Sequence, residues 1–154
     1  MEIQLIRNIL FTGCLFLAAF HDLKERKVPN RLIGTMIFLW ISERILSILF
    51  LKVPCTGPAR GLLCGLALFA PVFLISFLFR ILSGKQGIGN GDLKLFFASG
   101  LYLGSGMILF VLFLSCLFGL LFFFLFGNDK KKDRTIPFAP AIAFSVFLVM
   151  NRGM

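Results

Sequence analysis

The sequence predicts an all-α, polytopic membrane protein of about six transmembrane helices, and three observations carry that expectation. Of the 154 residues, 58% are hydrophobic, 21 of them Phe, and only 15% are charged. A soluble domain of this length cannot hide so much apolar surface, and a mean hydropathy of +0.95 makes lipid the natural solvent. The apolar residues also come in runs close to the roughly 20 residues that a helix needs to cross the hydrocarbon, separated by short basic clusters. No stretch between them looks like a linker joining two cores, so one membrane-embedded domain is expected over 1–154.

The first run spans 3–20, broken only by Gln4, Arg7, Asn8 and Thr12. Its basic n-region is thin, and the charged string His21–Arg31 follows where a cleavage site would stand. It therefore reads as an uncleaved first helix, not as a signal peptide. The second and third runs cover 32–51 and 61–79. The stretch from Leu95 to Phe126 is too long for one span, and Gly100, Gly104, Ser105 and Gly106 divide it into a short helix near 95–104 and a full one near 107–126. A last apolar run, Ile136 to Met150, is short and carries two prolines at its start.

Basic loops orient the chain. One side collects eleven cations: Lys24, Arg26, Lys27, Arg31, Arg80, Lys85, Lys94, Lys130, Lys131, Lys132 and Arg134. The other collects four: Arg7, Lys52, Arg60 and Arg152. Loops 21–31, 80–94 and 127–135 are therefore expected in the cytoplasm and both termini outside, an alternation that needs an even number of helices. The net charge of +9 sits in these clusters and complements anionic lipid, so no nucleic-acid partner is expected. Glu43 and Arg44 fall in the outer half of the second run, where they are expected to snorkel or pair.

Cys14, Cys55, Cys64 and Cys116 form no C-x-x-C pair, and His21 is the single histidine. Neither a disulfide framework nor a metal site follows, and no cofactor is expected.

Two acids stand where an apolar run meets a cytoplasmic loop: Asp22 after the first helix and Asp92 before the fourth. Brought face to face, two carboxylates can share one proton, because like charges that close resist joint ionisation. The ionised member then takes a proton from water while the protonated one donates to a peptide carbonyl. Gly87, Gly89 and Gly91 alternate ahead of Asp92 and allow close backbone approach. Singly, each feature is more ordinary: Asp92 as a helix cap, the glycines as a turn, Val28-Pro29-Asn30 as a helix stop and restart.

Together they resemble the type IV prepilin peptidases. Asp22, Arg26, Val28, Pro29 and Asn30 are similar to that family's first-aspartate motif, D-x-x-x-R-x-(I/V)-P-N. Gly89, Gly91, Asp92, Lys94 and Leu95 are similar to the second, G-x-G-D-x-K-(L/F), and Ile136-Pro137-Phe138-Ala139-Pro140 resembles a late I-P-F-G-P segment, with Ala139 for Gly. The resemblance covers essentially the whole chain. It implies a membrane aspartic endopeptidase that removes the basic leader of prepilin or pseudopilin-like precursors at the cytoplasmic face, with Asp22 and Asp92 catalytic. Gly89, Gly91, Lys94, Arg26, Pro29, Asn30 and Pro137 would support the motifs or the substrate. The paired C-x-x-C extension of longer members is not in this sequence, so the resemblance is to the short, peptidase-only branch and no methyl transfer is expected. Two readings compete. A presenilin-like protease carries its first aspartate in a Tyr-Asp context within a span, whereas Asp22 follows His21. A proton-coupled transporter would place its acids at mid-span.

Overall fold

The computed structural model describes residues 2–25, 28–51, 56–84, 88–103, 105–126 and 138–152. Among them are six α-helices in the expected order: α1 (Glu2–Glu25), α2 (Asn30–Leu51), α3 (Thr56–Ser83), α4 (Asn90–Tyr102), α5 (Ile108–Phe126) and α6 (Ala139–Arg152). A 3-10 turn at Ser105–Met107 leads into α5, and no strand occurs among the described residues. The chain has the all-helical architecture of a polytopic membrane protein. Asn30–Leu49 and Ala59–Leu82 are long and apolar enough to cross a bilayer, and Ile108–Phe124 and Ala139–Asn151 are shorter apolar helices.

Hydrophobicity does not dictate the packing here, because lipid is as apolar as a core. Small residues do, by letting backbones approach. Gly61 and Gly65 lie four apart on α3, on one helical face, and turn that face toward α2 and α4. A Cβ on Gly100 of α4 would stand 2.6 Å from the Cα of Gly65, and one on Gly61 would stand 2.7 Å from the Trp40 ring. Neither glycine can carry a side chain without parting the helices.

α4 is the central helix. Leu93, Leu95, Phe96, Ala98, Ser99, Gly100 and Leu101 are all buried, an almost unbroken run that no single-faced helix shows. It packs against α2, α3 and α6. It begins at Asn90, five residues ahead of the apolar stretch expected at 95–104, because its first turn is held by protein and needs no lipid; the Leu93 N–H already reaches the Gly89 carbonyl. α6 likewise begins at Ala139, later than the expected 136, with Pro140 in its first turn, where proline is tolerated.

Large apolar side chains are exposed along α1, α2, α3 and α5, among them Phe20 of α1 and Phe38 of α2. Leu63, Leu74 and Leu82 of α3 and Leu109, Phe113 and Phe124 of α5 are largely exposed. α3 keeps Pro71 within its helix, which removes one intrahelical donor. In the C-terminal half of α2, Arg44 lies 4.0 Å from Glu43 and 5.8 Å above the Trp40 ring.

Candidate active site

α1, α2, α4 and α6 meet at one end of the bundle, where Asp22, Pro29, Asn30, Gly89, Gly91, Asp92 and Lys94 lie. Asp22 occupies the last turn of α1 and is 5% exposed. Its Oδ2 accepts a hydrogen bond from the backbone N–H of Ala139, at 3.1 Å, where α6 starts. A helix leaves its first N–H groups without partners, so the start of α6 offers a donor and a positive dipole end to this carboxylate.

Asp92 stands in the first turn of α4, ahead of the apolar run that begins at Leu95. Burial, and second the charge of Asp22, push its carboxyl up to about 7 from 3.8. The dipole of α4 favours an ionised Asp92, and desolvation outweighs it. Its Oδ1 is buried and has no hydrogen-bond partner among the described residues. Asp22 lies near enough for its charge to add to the effect of burial on Asp92.

Two contacts lock the first-aspartate segment to the second. Gly91 lies so close to Val28 that a Cβ there would stand 3.1 Å from the valine Cβ. Lys94 Nζ donates to Asn30 Oδ1 at 3.0 Å, tying α4 to the first residue of α2. Pro29 contributes its carbonyl, which accepts the Leu32 N–H at 3.1 Å and closes the turn into α2. Gly89 has the extended backbone of an N-cap; a Cβ there would only touch Asp92 Oδ2 at 3.4 Å, so space does not demand glycine at that position. Arg26, Pro137 and Gly87 lie outside the described residues.

Sequence reasoning missed the part played by Ala139. Its backbone, not its side chain, meets Asp22, and the residue is fully buried. The only signal available was the late proline-flanked segment itself. Phe138, beside it, packs on Gly119 of α5, where a Cβ would overlap the ring, and lies 6.1 Å from Phe96 of α4. His21 Nδ1 sits 3.6 Å from Glu25 Oε2.

Lys94 also borders an apolar cavity of about 320 Å³, lined further by Ile33 and Ile37 of α2, Leu66 and Phe69 of α3, and Phe97 of α4. Among the described residues no group of three or more His, Cys, Asp or Glu side chains could hold a metal ion. Two acids, Asp22 and Asp92, thus stand at one end of the bundle, and Lys94, two residues from Asp92, borders an apolar cleft.

The chain belongs to the type IV leader peptidase family, whose pattern it matches over residues 9–124, a range that includes both aspartates. It is 29% identical over 147 residues to the prepilin leader peptidase/N-methyltransferase of Aeromonas salmonicida strain A449, covering 94% of this chain and 48% of that protein. Proteins of the same description from Legionella pneumophila and Bacillus subtilis strain 168 are each 30% identical, over 98% and 99% of this chain and 51% and 58% of their own lengths. The chain thus spans about half the length of the curated relatives it matches. No solved structure matches it.

Proposed function

We propose that this chain is a membrane aspartic endopeptidase that cleaves the basic leader from prepilin or pseudopilin-like precursors, with Asp22 and Asp92 as its acid–base pair. The observation that supports the reading is the packing of the two aspartate segments, Gly91 against Val28 and Lys94 bonded to Asn30, with Asp92 driven up to about 7 by burial and by the charge of Asp22. A carboxyl so tuned is still partly protonated near neutral pH and can serve as an acid there. Family membership supports the reaction class, and the similarity to prepilin leader peptidases supports the substrate class.

The reading extends to the setting: one domain with six membrane-crossing helices and the site at the cytoplasmic face. The bias of eleven cations against four supports that orientation, since Asp22 and Asp92 both fall on the basic side. The precursor's basic leader stays in the cytoplasm while its apolar stalk lies against the helices. The cleft beside Lys94 supports this, because Lys94 is two residues from Asp92 and the cleft walls are apolar. Lys94, Asn30, Pro29 and Gly91 hold the first-aspartate segment against the second; Gly89, Arg26 and Pro137 complete the motifs. Neither metal nor organic cofactor takes part.

The test is co-expression with a candidate precursor, followed by mass analysis of the precursor's new N-terminus. Removal of a basic leader just ahead of the apolar segment is expected from the wild-type chain and not from Asp22→Asn or Asp92→Asn. Cleavage that persists in both well-inserted variants would overturn the assignment.

A further inference from the structure

We infer that the backbone N–H of Ala139 is a positioning group of the catalytic pair, holding Asp22 as the carboxylate that activates water and leaving Asp92 as the acid that protonates the substrate carbonyl. This rests on the aspartic-peptidase reading and adds the division of labour within it.

Two buried oxygens differ in what they meet. Asp22 Oδ2 accepts the Ala139 N–H at 3.1 Å. A donor at the positive end of a helix strengthens its hydrogen bond when the acceptor is charged, and so favours the ionised form. Asp92 Oδ1 is buried without a hydrogen-bond partner among the described residues, a position costlier for a charged oxygen than for a neutral one.

Other charges at this end do not alter the contrast. α1 brings His21, Lys24 and Glu25 beside Asp22, α2 brings Arg31, α3 brings Arg80, and α4 has Lys94, which donates to Asn30. Of all these it is the charge of Asp22 that bears on Asp92, and it bears toward the protonated form. α6 offers this end a backbone donor and no titratable side chain among the described residues. Its start is held in place by Phe138, wedged between Gly119 of α5 and Phe96 of α4.

The reaction then balances. Water attacks the peptide carbonyl carbon and gives its proton to Asp22, while Asp92 gives its proton to the carbonyl oxygen, forming a gem-diol. On collapse Asp22 returns its proton to the leaving nitrogen, the C–N bond breaks, and a gem-diol hydroxyl returns its proton to Asp92. Both acids end as they began.

Two measurements on the full chain in lipid vesicles test this. The first is the infrared band of a neutral carboxyl, followed as pH passes through 7. It should be present in the wild type, absent in Asp92→Asn, and retained in Asp22→Asn with a lower midpoint. Glu43→Gln, the control for the other half-buried acid, should keep it. A band that survives Asp92→Asn, or that disappears in Asp22→Asn, would overturn the assignment even if both variants are inactive.

The second replaces Ala139 by its α-hydroxy analogue, which puts an ester oxygen where the N–H was and leaves the side chain unchanged. The acid limb of the pH–rate profile should move up by about one pH unit, the size expected for losing one hydrogen bond to a charged group, with the alkaline limb displaced less. An acid limb that stays where it is would remove Ala139 from the mechanism. Activity persisting in Asp22→Asn and Asp92→Asn would instead sink the peptidase reading itself, so the two failures are separable.

Discussion

Asp92 illustrates how environment overrides residue type. A first-turn acid on an exposed helix is ordinarily ionised and stabilising, yet burial beside Asp22 drives this one up to about 7 from 3.8. Activity that needs its proton should therefore fall on the alkaline side with a midpoint near 7, read from kcat/KM against pH. The stability linkage has a definite sign. A carboxyl whose folded value lies above its unfolded one favours the fold fully below about 3.8, and that contribution is lost as pH rises through about 7. Asp92→Asn should accordingly raise Tm relative to the wild type above pH 7 and lose that advantage in acid. In cleavage assays Asp22→Asn and Asp92→Asn should each cost at least about 10²-fold, the scale of one acid–base partner. The double variant should be little worse, because groups acting as a unit are strongly non-additive. Glu25→Gln, three residues from Asp22, should cost far less; an equal loss would show that the segment tolerates no change at all.

At the scale of elements, glycine and a single lysine join helices that hydrophobicity alone would leave free to slide. Gly100 meets the backbone of Gly65, so Gly100→Leu must part α3 from α4. Overpacking of this kind costs about 1–3 kcal/mol. A lower melting temperature by circular dichroism in detergent, with reduced cleavage, is the expected result; an unchanged melt would show that the two helices can separate freely. Lys94→Met removes the bond to Asn30 while keeping length and apolar stem. Because that bond is exposed it should cost little stability, under about 1 kcal/mol. Cleavage should fall through looser registration of α4 on α2, a loss in kcat with the fold intact.

For the whole molecule, the decisive relation is between the pair and the membrane surface. On the proposed reading, with Asp22 and Asp92 at the cytoplasmic rim, the scissile bond would lie just ahead of the precursor's apolar segment. Inserting several residues between the two should reduce cleavage, since reacting groups must be held close and aligned. Equal cleavage at the original bond, measured by mass analysis, would contradict that geometry. Chelators should leave cleavage intact; activity lost on chelation and regained with metal would reveal an ion that proton transfer alone does not include. In intact cells Cys55, in the segment expected outside, should react with a membrane-impermeant thiol reagent, and labelling only after the cytoplasmic face is opened would invert the topology.

The six helices found among the described residues, and their order, were legible in the sequence. Apolar runs must become helices in lipid, where every backbone group needs an internal partner, and the aspartate motifs are local strings. What those strings do to each other was not legible. α4 reads in the sequence as a short span because its apolar stretch is brief, yet it is the central helix, sheathed by protein and hence free to start at Asn90 with Asp92 in its first turn. The stripe of Gly61 and Gly65 was present in the chain, but its meaning depends on Gly100 lying opposite. Most hidden was Ala139: 117 positions from Asp22, it meets that carboxylate through a backbone N–H that every residue but proline carries. Side-chain chemistry can be read along a chain. Which amide a helix end presents to a buried carboxylate is settled only when the helices pack.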